Sequence, residues 1–403
     1  MNAALRIGIV HSFYASGQPS GENEAVRDQA RALREAGHEV TVVGVHTDEL
    51  AGARSYPLQA AATVAGGRGR TPIAALRGFN PDVVHVHNLF PNFARGWVRR
   101  WDGPLVATLH NYRPLCAGGT FYRSGETCTK CLDGDRWAGF RHGCYRESRV
   151  ATAPLAWANR GGAAKDPVLL RADRLVVLSD LSRRMYLRSG VDVGRMALIP
   201  NFVAEPVPPT PVTPPSAPIP RPASCDGGDG GLGGWVFVGR LTVEKGVLEL
   251  LRRWPADEHL DVVGDGELLA AARATAPASV HFLGRMDRAE LRRRLPGWRG
   301  LIFPSRCLEG APLVEVEALA AGLPVLAFDG SSVAENVRAH GTGSVVSWDH
   351  PLPPALTAAG TGFPGLRTHC RRVFEDHFSE RTWLRSTLEV YRAALSTRAA
   401  AGH

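Results

Sequence analysis

The feature that most constrains this chain is an alternation of short apolar runs with helix-patterned segments, broken once and then resumed. Leu5 to Val10, Val40 to Val43, Val83 to Val86, Leu105 to Leu109 and Arg174 to Leu178 read as buried strands. Between the first two lies a helical pattern from about Asn23 to Ala36, stopped by Gly37. Apolar runs spaced by helices imply parallel sheets covered on both faces. Around residues 205–234 the pattern collapses into Pro206, Pro208, Pro209, Pro211, Pro214 and Pro215, then Gly227, Gly228, Gly230, Gly231, Gly233 and Gly234. That composition reads as a linker. Strands resume at Trp235 to Val238, Leu260 to Val263, Val280 to Leu283, Gly300 to Phe303 and Pro324 to Ala327. The 403 residues therefore divide into an N-terminal α/β domain (1–204), a linker (205–234), a C-terminal α/β domain (235–376), and a closing helix and tail (377–403).

No run approaches the roughly 18 apolar residues of a membrane span, and Leu5 to Val10 is too short for a signal peptide. The expectation is a cytoplasmic protein, with peripheral contact at the inner face of the membrane left open. The formal charge of +8 leaves nucleic acid, a membrane surface or an anionic ligand as partners. Only three of the 47 basic residues are lysine, which singles out Lys245.

The densest stretch runs from Phe303 to Val325. It leaves a strand, passes Glu309 and Gly310, and enters a helix that Pro312 starts well. Free amides at such a start hold phosphate. Glu317 sits one turn into that helix among alanines and leucine, where a carboxylate needs a partner. Hydroxyls of a sugar or ribose would serve; the plainer reading leaves Glu315 and Glu317 solvated. Gly239 ends a strand, and Arg240 and Lys245 follow it. Two cations there could clamp a diphosphate or be ordinary exposed loop residues. His85 and His87 alternate on one strand, and His110 follows the next.

These segments together resemble glycosyltransferase family 4, the retaining enzymes of the GT-B fold. The carriers are Gly239-Arg-Leu with Lys245-Gly246, Gly264-Asp-Gly266, Glu309 spaced from Glu317, Gly322-Leu-Pro-Val325, Pro19-Ser-Gly-Glu-Asn-Glu24, Asp82 to Asn88 and Thr108 to Asn111. Val177-Leu-Ser179 and Ile199 to Phe202 fit its interdomain stretch. The resemblance implies two Rossmann-like domains facing each other across a cleft, with the C-terminal helix crossing back to the first. It implies transfer of a sugar from a nucleoside-diphosphate sugar to an acceptor hydroxyl with retention, and no catalytic metal. Arg240 and Lys245 would neutralise the leaving diphosphate. Glu309, with amides near Gly310, Ala311, Pro312 and Leu313, would hold the donor sugar and phosphate, and Glu317 the ribose. His110 would face the reacting sugar, Gly21 and Glu22 would line the cleft, and backbone around Arg285 and Met286 would meet the base. The acceptor, whether glycan, lipid-linked sugar or small natural product, stays open. An epimerase-like GT-B enzyme or a non-catalytic nucleotide-sugar-binding protein are the alternatives.

Two features stand outside that pattern. Cys116, Cys128, Cys131 and Cys144 have the count and spacing of a tetrahedral zinc site in a glycine-rich loop without a core of its own. Reduced thiols, disulfides or an iron–sulfur cluster are the other readings, and a similar insertion occurs in some bacterial family members. A zinc-ribbon nucleic-acid binder is a further class, disfavoured because the cysteines lie inside an α/β domain and the basic residues are spread. Phe93, Trp97 and Trp101 recur at helical spacing, as an interfacial membrane helix or as core.

Overall fold

A computed structural model describes residues 4–17, 20–204 and 233–401. The inferred linker lies, apart from Gly233 and Gly234, outside the described residues. Fourteen strands occur among them. The first sheet is built from β1 (Arg6–Phe13), β2 (Glu39–His46), β3 (Val83–Asn88), β4 (Leu105–Leu109), β7 (Arg174–Val177) and β8 (Met196–Leu198), in the order β2-β1-β3-β4-β7-β8. A hairpin of β5 (Tyr122–Arg123) and β6 (Glu126–Thr127) stands apart from it. The second sheet has β9 (Trp235–Val238), β10 (Leu260–Val263), β11 (Val280–Gly284), β12 (Gly300–Phe303), β13 (Val325–Phe328) and β14 (Gly343–Val346), in the order β11-β10-β9-β12-β13-β14. Every pairing within the two large sheets is parallel.

The chain divides into two compact units. The first comprises Met1–Phe202, Cys307–Leu313 and Glu380–His403; the second comprises Val203–Arg306 and Val314–Ser379. In the first, alternate strand residues enter opposite cores. Val10, Val84, Val86, Leu105 and Ala107 pack on one face; Ile7, Ile9, Val83, Val106 and Val176 pack on the other. Burial on both faces is why these strands read as continuous apolar runs. The second face is covered in part by the C-terminal helix Glu380–Ala401, through Trp383, Val390, Tyr391 and Ala394. That helix is also fixed by polar contacts. Arg31 donates to Glu380 at 2.6 Å, Arg398 pairs with Asp173 at 2.9 Å, and the Tyr391 hydroxyl meets His85 Nδ1 at 2.8 Å.

The second unit repeats the plan. Phe237, Leu260, Val262 and Ile302 face a core shared with the helix Leu352–Val373, while Val236, Val263, Leu301 and Phe303 face the other. β8 and β14, three and four residues long, close one edge of each sheet and lie outside the apolar runs read from the sequence. The Phe93–Trp101 segment is not a long interfacial helix. It holds a short 3-10 turn, Gly96–Arg100, with Phe93 and Trp97 buried in the first core and Trp101 packed against it. None of the described helices is long and apolar enough to cross a membrane.

Candidate functional site

In an open parallel sheet the loops at the carboxyl ends part where the strand order reverses, and ligands bind there. The first sheet reverses at β1 and β3, the second at β9 and β12. Gly21, Glu22, His87 and His110 lie at or after the carboxyl ends of strands at the first reversal, and Gly239, Arg240 and Lys245 follow β9 at the second; Arg285 and Met286 lie past β11 at the sheet edge.

At the first reversal four imidazoles cluster, tilted or edge to face. The His85 and His87 rings lie 4.2 Å apart, those of His87 and His110 5.2 Å, and those of His11 and His87 6.3 Å. His87 Nδ1 and His110 Nε2 are 2.9 Å apart, so one donates and the other accepts. His85 is used up structurally, between Tyr391 and the Thr108 hydroxyl at 2.8 Å each. Burial pushes His110 and His85 down to about 3 and His11 to about 4, and His87 well below its ordinary value. All four are neutral at neutral pH. A neutral His110 can exchange hydrogen bonds with a sugar but is not a standing cation.

Gly21 opens the helix Gly21–Glu35, which Ser20 caps by accepting from the Asn23 amide at 3.3 Å. Glu22 follows on its first turn. Its Oε2 receives Asn111 Nδ2 at 3.4 Å, while Oε1 is shut off from solvent with no hydrogen-bond partner. Burial raises this carboxyl to about 7, against the pull of Arg113. Asn111 and Arg113 also line a cavity with about 720 Å3 of atom-free space, part of it continuous with solvent. His87, His110, Asn111 and Arg113 give it polar groups; Leu89, Phe90, Phe93, Leu109, Leu155 and Val168 give it apolar walls.

The segment Cys307–Leu313 belongs to this same unit. Leu308 N–H donates to the Thr120 carbonyl at 3.1 Å, and Asn201 Nδ2 donates to the Ala311 carbonyl at 2.8 Å. Gly310 is seated against His110 so closely that a Cβ there would lie 2.9 Å from the His110 carbonyl oxygen. Leu313 reaches Gly21, within 3.7 Å of where its Cβ would be. Glu309 is half-buried between these contacts. Thus Glu309, Gly310, Ala311, Pro312 and Leu313 are brought to His110 and Gly21.

At the second reversal the loops after β9 and β12 are tied together. Arg306 N–H donates to the Glu244 carbonyl at 2.9 Å. Gly246 has φ of 72°, and a Cβ on it would lie 2.1 Å from the Pro304 carbonyl oxygen. Only glycine fits such a position. The Gly-Asp-Gly signal has the same cause: a Cβ on Gly264 would meet Gly239 O at 1.9 Å, and one on Gly266 would meet Leu241 O at 2.5 Å. Arg240 is exposed and pairs with Glu244 at 3.2 Å; Lys245 is half-buried at the end of a short 3-10 turn. Arg285 is exposed just past β11, and Met286 packs on the apolar cluster below it.

Glu315 and Glu317 are not solvated. Both are buried on the helix Leu313–Ala320. Glu315 accepts from Asn336 Nδ2 at 3.1 Å. Glu317 Oε1 receives Arg288 Nε at 2.6 Å, with Arg292 Nε 3.4 Å away. The partner that its apolar setting required is therefore an arginine pair. Arg288 and Arg292 lie 29 and 25 positions upstream in sequence, on a separate helix, Arg288–Arg294, so no local spacing announced them. Glu22, Asn88 and Asn111 all lie in the motif segments, but Arg113 does not, and no spacing announced that these residues meet.

The four cysteines are unbridged and line one small recess together with Tyr122, Arg123 and His142. Burial, reinforced by the neighbouring thiols, pushes Cys144 up to about 11 and raises Cys131. A divalent cation would reverse that pressure. The sulfurs have not closed to a ligand set with all atoms within 4.8 Å of one another. Nor does the loop lack a core: Leu115, Phe121 and Leu132 are buried in the first unit. Apolar anchoring, which the glycine-rich composition hid, already holds it.

Two Rossmann-like sheets with glycine-built loops at their reversals define a GT-B glycosyltransferase framework. Residues 19–205 match Glycosyltransferase Family 4, and residues 234–359 match Glycosyl transferases group 1. Together the two matches support a glycosyltransferase of the family 4 type. Among solved structures it is similar to Alr3699/HepE from Anabaena in complex with UDP and glucose, at 15% identity, covering 96% of this chain and 100% of that one, with a TM-score of 0.60. Sucrose-phosphate synthase from Thermosynechococcus elongatus is similar at 18% identity, 97% and 99% coverage and a TM-score of 0.64. A glycosyltransferase from Rickettsia africae is similar at 14% identity, 97% and 99% coverage and a TM-score of 0.62. No curated protein matches the sequence.

Proposed function

We propose that the protein transfers a sugar from a nucleoside-diphosphate sugar to an acceptor hydroxyl with retention of anomeric configuration. The observation that carries this reading is the seating of Gly310 against the His110 backbone carbonyl, which brings the segment around Glu309 to the residue that follows β4. In this reading Glu309 accepts hydrogen bonds from the donor sugar, and amides from Gly310 to Leu313 meet its phosphate. Arg240 and Lys245 stabilise the diphosphate as charge develops on it, the expected device where the leaving group is an anion. Glu317, held by Arg288 and Arg292, is left with a ribose role only through the face those arginines do not cover. Backbone at Arg285 and Met286 meets the base. The UDP-bound relative supports a nucleotide donor here. The bond from the anomeric carbon to the phosphate oxygen breaks, and the acceptor oxygen attacks from the same face. The acceptor proton passes to the departing phosphate.

The acceptor would enter the cavity beside His87 and His110, whose walls suit a molecule with a polar end and an apolar body. The cysteine recess is proposed to hold a structural zinc ion, with the four thiolates as ligands; Cys128→Ser purified without added metal should then lose one equivalent of zinc, and a chain that never contains zinc contradicts this.

The test of function is a panel of nucleoside-diphosphate sugars read by thermal unfolding. One donor class should raise the melting temperature by linkage, and Lys245→Ala should abolish that rise while melting normally without ligand. A panel with no stabilising member, or an unaffected Lys245→Ala, contradicts the assignment.

A further inference from the structure

The second unit holds a cluster that the sugar-transfer reading does not use. His259 and Asp261 are two residues apart at the start of β10, so they lie on one face of the sheet. The parallel register pairs Asp261 with His281 on β11. Strand alternation and register alone therefore bring two imidazoles and a carboxylate together. His259 Nε2 is 3.0 Å from Asp261 Oδ1, and His281 Nδ1 is 3.9 Å from the same oxygen. The two rings meet edge to face at 4.6 Å. All three donor atoms lie within 4.8 Å of one another, the one such set among the described residues.

We infer that His259, Asp261 and His281 form a binding site for a divalent transition-metal ion of the zinc, cobalt or nickel kind. Imidazole nitrogen and carboxylate oxygen suit those ions, which bind each at ~2.0–2.2 Å. Tetrahedral ligands at that radius stand ~3.4 Å apart, and the two observed separations fall on either side of it. The carboxylate is already oriented. Its second oxygen, Oδ2, accepts from Trp298 Nε1 at 2.7 Å, which leaves Oδ1 to the histidines. Such an outer hydrogen bond is how metal-binding carboxylates are commonly held. The Asp261 side chain is 5% exposed, but those of His259 and His281 are 26% and 31% exposed, so an ion and its water have access. At 3.9 Å His281 stands beyond hydrogen-bond reach of Asp261 Oδ1, whereas a metal would engage all three.

The site is remote from the chemistry within its own unit. It sits at the amino ends of β10 and β11, whereas Gly264 and Gly284 mark the carboxyl ends, ~10 Å away at strand rise. β11 is the edge strand of the sheet. The ion would act as a clip that fastens this edge to β10, not as a catalyst.

The test is Co2+ titration of the full chain after chelation, because cobalt bound by nitrogen and oxygen lacks the strong thiolate charge-transfer band of a cysteine site. The wild-type chain should take up one Co2+ with a nitrogen–oxygen spectrum, and that ion should raise the melting temperature. His281→Ala and His259→Gln should each weaken its binding about tenfold or more while leaving any thiolate-bound cobalt in place. If one variant fails to fold, the other decides. Cobalt bound only through thiolates, or unchanged affinity in a folded variant, overturns the site.

Discussion

Individual side chains in the first unit set its response to acid. His11, His85 and His110 ordinarily titrate near 6.5, yet burial holds them at about 3 to 4. Below 6.5 the unfolded chain binds protons that the folded chain refuses, so stability falls as the pH drops through that window. Glu22 works the other way. Between its ordinary 4.5 and about 7 the folded chain keeps a proton that the unfolded chain has released, so this group withdraws stability as the pH rises. Glu22→Gln removes that contribution alone. Denaturant unfolding should show the variant gaining about 2 kcal/mol relative to wild type between about pH 5 and about pH 8. A difference that stays flat with pH would mean Glu22 is ionised throughout. The sequence made Glu22 and His110 visible because each follows a strand or opens a helix. It hid that Asn111 and Arg113 meet Glu22 from a different strand end. Glu317 shows the same limit: its need for a partner was legible, its arginine partners were not.

At the scale of elements, strands buried on both faces were legible almost to the residue, as for β4, β9, β10 and β12. The edge strands β8 and β14 were not, being only three and four residues long. The C-terminal helix was visible as an amphipathic pattern, and its packing on the first sheet came from resemblance, but not its polar tie to the histidine cluster. Tyr391 is fully buried with its hydroxyl on His85 Nδ1. Tyr391→Phe leaves that nitrogen without its partner and should cost about 1–3 kcal/mol in unfolding free energy. A cost near zero would show that the bond contributes nothing net. Phe93 and Trp97 teach the converse. Aromatic residues at helical spacing can be pure core, and here they fill it without a helix.

For the whole molecule, the proposed function rests on where strand order reverses in each sheet. Gly246, Gly264 and Gly266 are glycines because backbone approaches there too closely for a Cβ, at the carboxyl ends of the strands. Gly310 does the same for the segment beside His110. These glycines were readable as turn signals, and their spacing as a family pattern; the distances explain why no other residue fits. The acceptor was not legible, because a cavity wall assembled from several loops and helices leaves no local motif. The central claim is retaining transfer from a nucleotide sugar. Its most direct measurement is nuclear magnetic resonance of the first-formed product with the stabilising donor. The account predicts a new glycosidic bond of the same anomeric configuration as the donor, formed only when donor and acceptor are both present. An inverted linkage, or no transfer from any nucleotide sugar, would contradict it.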